Sequence, residues 1–124
     1  MAQLKKPATT KSLGVPIVWK TTKATADRLL GHEGRPLLDK AINLAKDVAA
    51  KRKWPLKQIK VQRYQDLEYP DWENLEVVLV FDCPGPRARK LWLRYLREVD
   101  QLQHSMDHET VERFIDIYLG YELA

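Results

Sequence analysis

Cysteine is nearly absent from this sequence: Cys83 is the one thiol among 124 residues. A single thiol cannot form a disulfide within the chain, so a disulfide framework is excluded and a reducing, cytoplasmic location is expected. Long apolar runs are also missing. The longest, Val77 to Phe81, is far too short to cross a bilayer, and we expect no membrane partner. No catalytic signature is present either, so we predict a protein that is not an enzyme and needs no cofactor.

The composition is that of an ordinary globular domain, with 44% hydrophobic and 31% charged residues. The net charge of +4 is unevenly distributed along the chain. Residues 1–36 hold seven cations and two acids, which gives +5, whereas residues 37–124 hold fourteen cations and fifteen acids, which gives −1. We therefore predict a basic, largely flexible N-terminal arm over residues 1–25 and a single, nearly neutral domain over residues 26–124.

Helical periodicity is strongest in two segments. Pro36 suits the first position of a helix, and apolar residues then recur every three or four positions, which predicts a helix over 36–53. Cations crowd its last turn, where they complement the helix dipole. A second helix is predicted over 86–103. A third is predicted over 107–119, with Asp107 as N-cap and Gly120 as the stop signal, although residues 114–123 also alternate like a strand.

Two strands lie between the first two helices. Residues 57–67 alternate between apolar and polar, and residues 75–82 contain the apolar run of a buried strand. The fold class that follows is α+β, with a small antiparallel sheet whose one face carries the three helices. Because two strands alone are marginal, we expect the Val15 to Trp19 segment or the C-terminal segment to add a strand, or two chains to join their sheets as a homodimer.

The order of these segments resembles that of a group of small bacterial proteins with no assigned function. The residues that carry the resemblance are Ile59-Lys60-Val61, Asp66-Leu67-Glu68 and the stretch from Trp72 to Val80. The resemblance covers residues 37–102 and implies a helix, two strands joined by an acidic turn, and a long helix. It implies no activity and no site residues.

Two histidines and a carboxylate form the best candidate for a metal site. His104, His108 and Glu112 are spaced by four residues, so one continuous helix would place all three on one face, where a transition metal binds such ligands. A new helix that began at Asp107 would break this face. Because no further ligands follow at the expected spacing, solvated histidines are the favoured interpretation and no metal is predicted, with a metal-dependent hydrolase at these three residues as the second alternative function.

Exposed aromatic residues suggest contact with a partner. Tyr69 and Trp72 lie in the loop between the two predicted strands, and Trp19 ends the apolar segment of the arm. Aromatic side chains in such places are common interface anchors, although folding back over the core is the alternative. The leading functional hypothesis is therefore a non-enzymatic protein-interaction module that acts as a dimer or with a partner protein.

A cluster of cations supports a second hypothesis. Arg87, Arg89 and Lys90 fall in the first turn of the second helix, where they oppose the helix dipole, so an acidic group is expected opposite them. The glycine and lysine pattern of a phosphate-binding loop is missing. Together with lysines of the arm, these cations would bind nucleic acid or another polyanion. The lysines are Lys5, Lys6 and Lys11.

Overall fold

Three helices and four strands make up the domain in the computed structural model, which describes residues 14–65, 67–69, 73–114 and 117–124. The elements follow the order β1 (Ile17–Trp19), α1 (Lys23–Arg52), β2 (Leu56–Gln65), β3 (Glu73–Phe81), α2 (Gly85–His104), α3 (His108–Phe114) and β4 (Ile117–Leu123). The predicted α+β class is confirmed. None of the helices in these ranges is long and apolar enough to cross a membrane.

The sheet is mixed, which corrects the prediction of an antiparallel sheet. Its strands lie in the order β1-β2-β3-β4. The predicted central hairpin is antiparallel, but β1 is parallel to β2 and β4 is parallel to β3. Each parallel pair is possible because a helical crossover connects its strands. Both the N-terminal apolar segment and the C-terminal segment add a strand, so an incomplete sheet no longer argues for a dimer.

Helix α1 begins earlier than predicted. Thr22 caps it, because its Oγ1 accepts a hydrogen bond of 3.1 Å from the backbone N–H of Thr25, and part of the predicted arm thus belongs to the fold. Pro36 lies inside α1, and the helix is broken at Gly31, next to His32, where φ is 75° and ψ is 174°. A proline at position 36 crowds the carbonyl of residue 32, so the break lies where a kink is needed.

The last part of the chain is a strand, where we predicted a helix over 107–119. Helix α3 ends at Phe114. Residues 117–123 then pair with β3, from Ile117 opposite Leu75 to Leu123 opposite Phe81. Pairing with β3 satisfies backbone groups on the otherwise open side of that strand and buries Ile117, and the strand alternation therefore prevails over the helical one.

The core lies between the helices and one face of the sheet. Alternate residues of the two central strands face the helices and are fully buried, among them Ile59, Val77 and Phe81. Tyr95 of α2 is the largest fully buried side chain, and its hydroxyl donates a hydrogen bond of 2.9 Å to the carbonyl oxygen of Ala41 in α1. This bond fixes the two long helices against each other.

Candidate nucleic-acid interface between α1 and α2

Most of the predicted partner-binding and arm residues lie where the structure gives no description, and the other two differ in their surroundings: one is exposed and one is packed. Trp72, Lys5, Lys6 and Lys11 lie outside the described residues. Tyr69 lies at the tip of the hairpin and is 61% exposed. Trp19 is half-buried in β1, where it packs against the core, and the guanidinium of Arg35 lies 5.3 Å from the centre of its ring. Trp19 thus has a packing role within the fold.

The three candidate metal ligands do not share a helical face. His104 ends α2, Asp107 caps α3 by accepting a hydrogen bond of 2.8 Å from the N–H of Thr110, and His108 begins α3. His104 Nδ1 lies 2.8 Å from the carbonyl oxygen of Asp100, and His108 Nε2 lies 3.0 Å from Glu112. Among the described residues, no group of three or more potential ligands could hold a metal ion.

The cations at the start of α2 belong to a longer series. Arg87, Lys90, Arg94 and Arg97 follow one another at intervals of three and four residues, so they line one side of the helix, and all four are exposed. Arg89 lies off this line. At the end of α1, Lys51 and Arg52 are exposed as well. We call these six residues the basic ridge: Lys51, Arg52, Arg87, Lys90, Arg94 and Arg97.

Three arginines of the ridge line one cleft between the two helices. Arg52 from α1 and Arg94 and Arg97 from α2 line a cavity of about 160 Å³, which we call the arginine cleft. Val48 and Trp54 supply its apolar walls, and Glu98 and Gln101 complete its lining. The wall is rigid because Val48 is buried and the ring of Trp54 packs against Phe81, with ring centroids 6.4 Å apart.

The ridge differs from the rest of the surface in its lack of ion pairs. Arg35 pairs with Asp27 at 2.8 Å, Arg113 with Glu33 at 2.7 Å, and Arg28 and Arg63 both pair with Glu73. The five other arginines form no salt bridge with any residue in the described ranges: Arg52, Arg87, Arg89, Arg94 and Arg97. The predicted acidic group opposite the first turn of α2 is therefore not found among the described side chains.

Two side chains near the helices have shifted pKa values, one because of burial and one because of hydrogen bonding. Burial of the hydroxyl raises the pKa of Tyr95 well above the ordinary value of a tyrosine. The hydrogen bond from the backbone of Thr110 lowers the pKa of the Asp107 carboxyl, as expected for a helix N-cap. Neither residue lines the arginine cleft, so these shifts are not part of the site.

Sequence reasoning found the start of the ridge and missed its centre. Arg87 and Lys90 were predicted because they oppose the helix dipole, whereas Arg94 and Arg97 were not among the predicted site residues. The spacing of the cations from Arg87 to Arg97 could have predicted the ridge from the sequence. The contribution of Arg52 could not have been predicted, because it depends on how two helices separated by a hairpin pack together.

No family model matches the chain, and no curated protein or solved structure is significantly similar to it. The resemblance to small bacterial proteins of unassigned function therefore stays a prediction. The function has to be argued from the surface itself.

Proposed function

We propose that this domain binds a polyanion, with nucleic acid as its ligand, along the basic ridge. One observation carries the proposal: the five arginines that form no ion pair with any described residue include all four of the ridge, whereas every arginine elsewhere is paired apart from Arg89. We assign no catalytic residue and no cofactor.

The chemistry of arginine supports a phosphate ligand. The guanidinium is always charged and offers five N–H donors in a planar fork, which matches the oxygens of a phosphate group. A phosphate chain that lies along α2 would supply the negative charge that the first turn lacks. It would also release bound counterions, which is the main source of affinity in non-specific nucleic-acid binding.

The test is a binding titration with labelled DNA and RNA at several salt concentrations, monitored by fluorescence anisotropy. Neutralising the ridge with Arg87→Gln, Lys90→Gln, Arg94→Gln and Arg97→Gln should reduce the affinity strongly. It should also lower the slope of log K against log salt by roughly 0.7 to 0.9 for each lost phosphate contact.

The matched control removes the same charge elsewhere. Arg28→Gln, Lys60→Gln, Arg63→Gln and Arg113→Gln replace three arginines and one lysine that are ion-paired within the domain. The control should bind more tightly than the ridge variant. Equal losses in the two variants would mean that only net charge matters, and the absence of binding by the wild type at low salt would overturn the proposal.

A second candidate function, self-association, is favoured by the free edge of β4. The backbone N–H of Ala124 donates to the carbonyl oxygen of Phe81. The backbone N–H and C=O groups of the even-numbered residues of β4 therefore point towards β3, and those of the odd-numbered residues point away from the sheet. No strand covers this edge in the part of the chain that the structure describes. Two apolar residues near it are exposed, Leu93 at 39% and Leu123 at 50%.

The carbonyl oxygen of Leu119 already accepts from Trp92, and antiparallel pairing of two β4 strands would satisfy the other outward groups. A pairing centred on Gly120 places Glu122 opposite Tyr118 of the other copy, so like charges do not meet. We expect light scattering after size exclusion to show a dimer that Leu123→Lys weakens. A strict monomer over about a hundredfold range of concentration would exclude this candidate.

A further inference from the structure

The arginine cleft has the composition of an anion site. Its three guanidinium groups carry only donors, and Gln101 adds an amide. The indole N–H of Trp54 donates to no acceptor among the described residues, whereas that of Trp92 is bonded to the carbonyl oxygen of Leu119 at 3.3 Å. Glu98 is the one carboxylate in the lining, and it forms no salt bridge within the described chain.

The size of the cleft limits what can enter it. Its volume is about 160 Å³, well below the roughly 300 to 1,000 Å³ of pockets that hold drug-sized ligands. A nucleoside therefore does not fit, but a single phosphate group does. Chloride is a single acceptor atom, whereas the several oxygens of a phosphate can each take a separate donor.

The two helices that carry the cleft are fixed relative to each other. Arg52 comes from the last turn of α1, and Arg94 and Arg97 come from the middle of α2. The buried hydrogen bond between Tyr95 and Ala41 connects these two helices. Donors that are fixed in advance lose less freedom when a ligand binds, which favours a specific contact over a diffuse one.

We infer that the arginine cleft is a discrete site for one phosphate group, and that it fixes the position of the nucleic-acid backbone on the ridge. This inference rests on the proposed function for its natural ligand. It goes further in one respect: the ridge would contain a single specific phosphate contact between Arg52, Arg94 and Arg97. Arg87 and Lys90 would supply non-specific electrostatic attraction.

Competition between anions separates these two kinds of contact. Labelled single-stranded DNA bound to the full chain is displaced with inorganic phosphate and, separately, with chloride at the same ionic strength. A specific site predicts that phosphate displaces the DNA at a concentration about tenfold lower than ionic strength alone explains, which corresponds to one charge-assisted contact.

Two double variants on the same helix provide the matched comparison. Arg94→Gln with Arg97→Gln should remove the advantage of phosphate over chloride. Arg87→Gln with Lys90→Gln removes the same charge two turns earlier and should keep that advantage while weakening DNA binding. Both pairs are exposed on α2, so circular dichroism should show an intact fold in each.

Substitution of Glu98 should change phosphate affinity in the direction opposite to that of the arginine substitutions. Glu98→Gln removes the negative charge from the cleft and keeps a polar side chain, so it should tighten phosphate binding by several-fold in a calorimetric titration with inorganic phosphate alone. A merely structural role of Glu98 would leave phosphate affinity unchanged or lower it.

The outcomes distinguish this inference from the proposed function. If phosphate and chloride displace DNA equally at matched ionic strength, the discrete site is overturned and polyanion binding along the ridge stands. If inorganic phosphate binds and neither DNA nor RNA does, the site stands and the proposed function falls.

Discussion

Tyr95 combines packing and hydrogen bonding in one buried side chain. Its ring is fully buried, and its hydroxyl donates to the carbonyl of Ala41 on the neighbouring helix. We predict that Tyr95→Phe lowers the free energy of unfolding by about 0.5 to 1.5 kcal/mol, because the hydrogen bond is lost while the ring is kept. Urea denaturation measures the change. Tyr64→Phe is the control at an exposed position, 38% accessible, and should have almost no effect.

The same residue predicts how stability depends on alkaline pH. Burial raises the pKa of the Tyr95 hydroxyl in the folded state, so the unfolded chain loses this proton at a lower pH than the folded one. The unfolded state therefore binds fewer protons above its own tyrosine pKa, and stability falls as the pH rises past about 10. Tyr95→Phe should show a smaller loss between pH 9 and pH 11 than the wild type. Equal slopes would contradict the burial effect.

At the scale of elements, the sequence predicted those parts whose periodicity is local. The helices predicted over 36–53 and 86–103 correspond to the second part of α1 and to α2, and the hairpin corresponds to β2 and β3. The C-terminal strand was predicted as a helix because both periodicities fit residues 114–123. What decides between them is the free side of β3, which lies about forty residues earlier in the chain and leaves no mark on the local pattern.

Helix α2 attaches the last strand through Trp92. The indole N–H donates to Leu119, and the ring lies 5.0 Å from that of Tyr121. We predict that Trp92→Phe lowers the free energy of unfolding by about 1 kcal/mol and speeds hydrogen exchange in β4 more than in β2. Leu93→Ala, at the next and more exposed position, should change exchange in β4 much less. Uniform acceleration across the sheet would show that Trp92 does not act on β4 in particular.

For the whole molecule, the charge count gave a misleading picture of the surface. Residues 37–124 sum to −1, which suggested a neutral body. Acids of that region form ion pairs with cations outside the ridge. Glu73 pairs with two arginines, and Glu122 pairs with Lys60 across β3. The cations of the ridge are left without partners among the described residues. A neutral total therefore contains a locally basic surface, which the packing of α1 against α2 completes by adding Arg52.

This distribution predicts which part of the chain dominates polyanion binding. Residues 1–13 contain three lysines, Lys5, Lys6 and Lys11, and lysine acts as a point charge, whereas the ridge presents arginines that contact phosphate with two parallel bonds. Deleting residues 1–13 should reduce the salt slope by up to about 0.9 for each lysine that contacts phosphate, yet keep the preference for inorganic phosphate over chloride as competitor. The ridge variant should lose both. If the deletion abolishes binding while the ridge variant retains it, the N-terminal arm is the interface, and the ridge is only a charged surface.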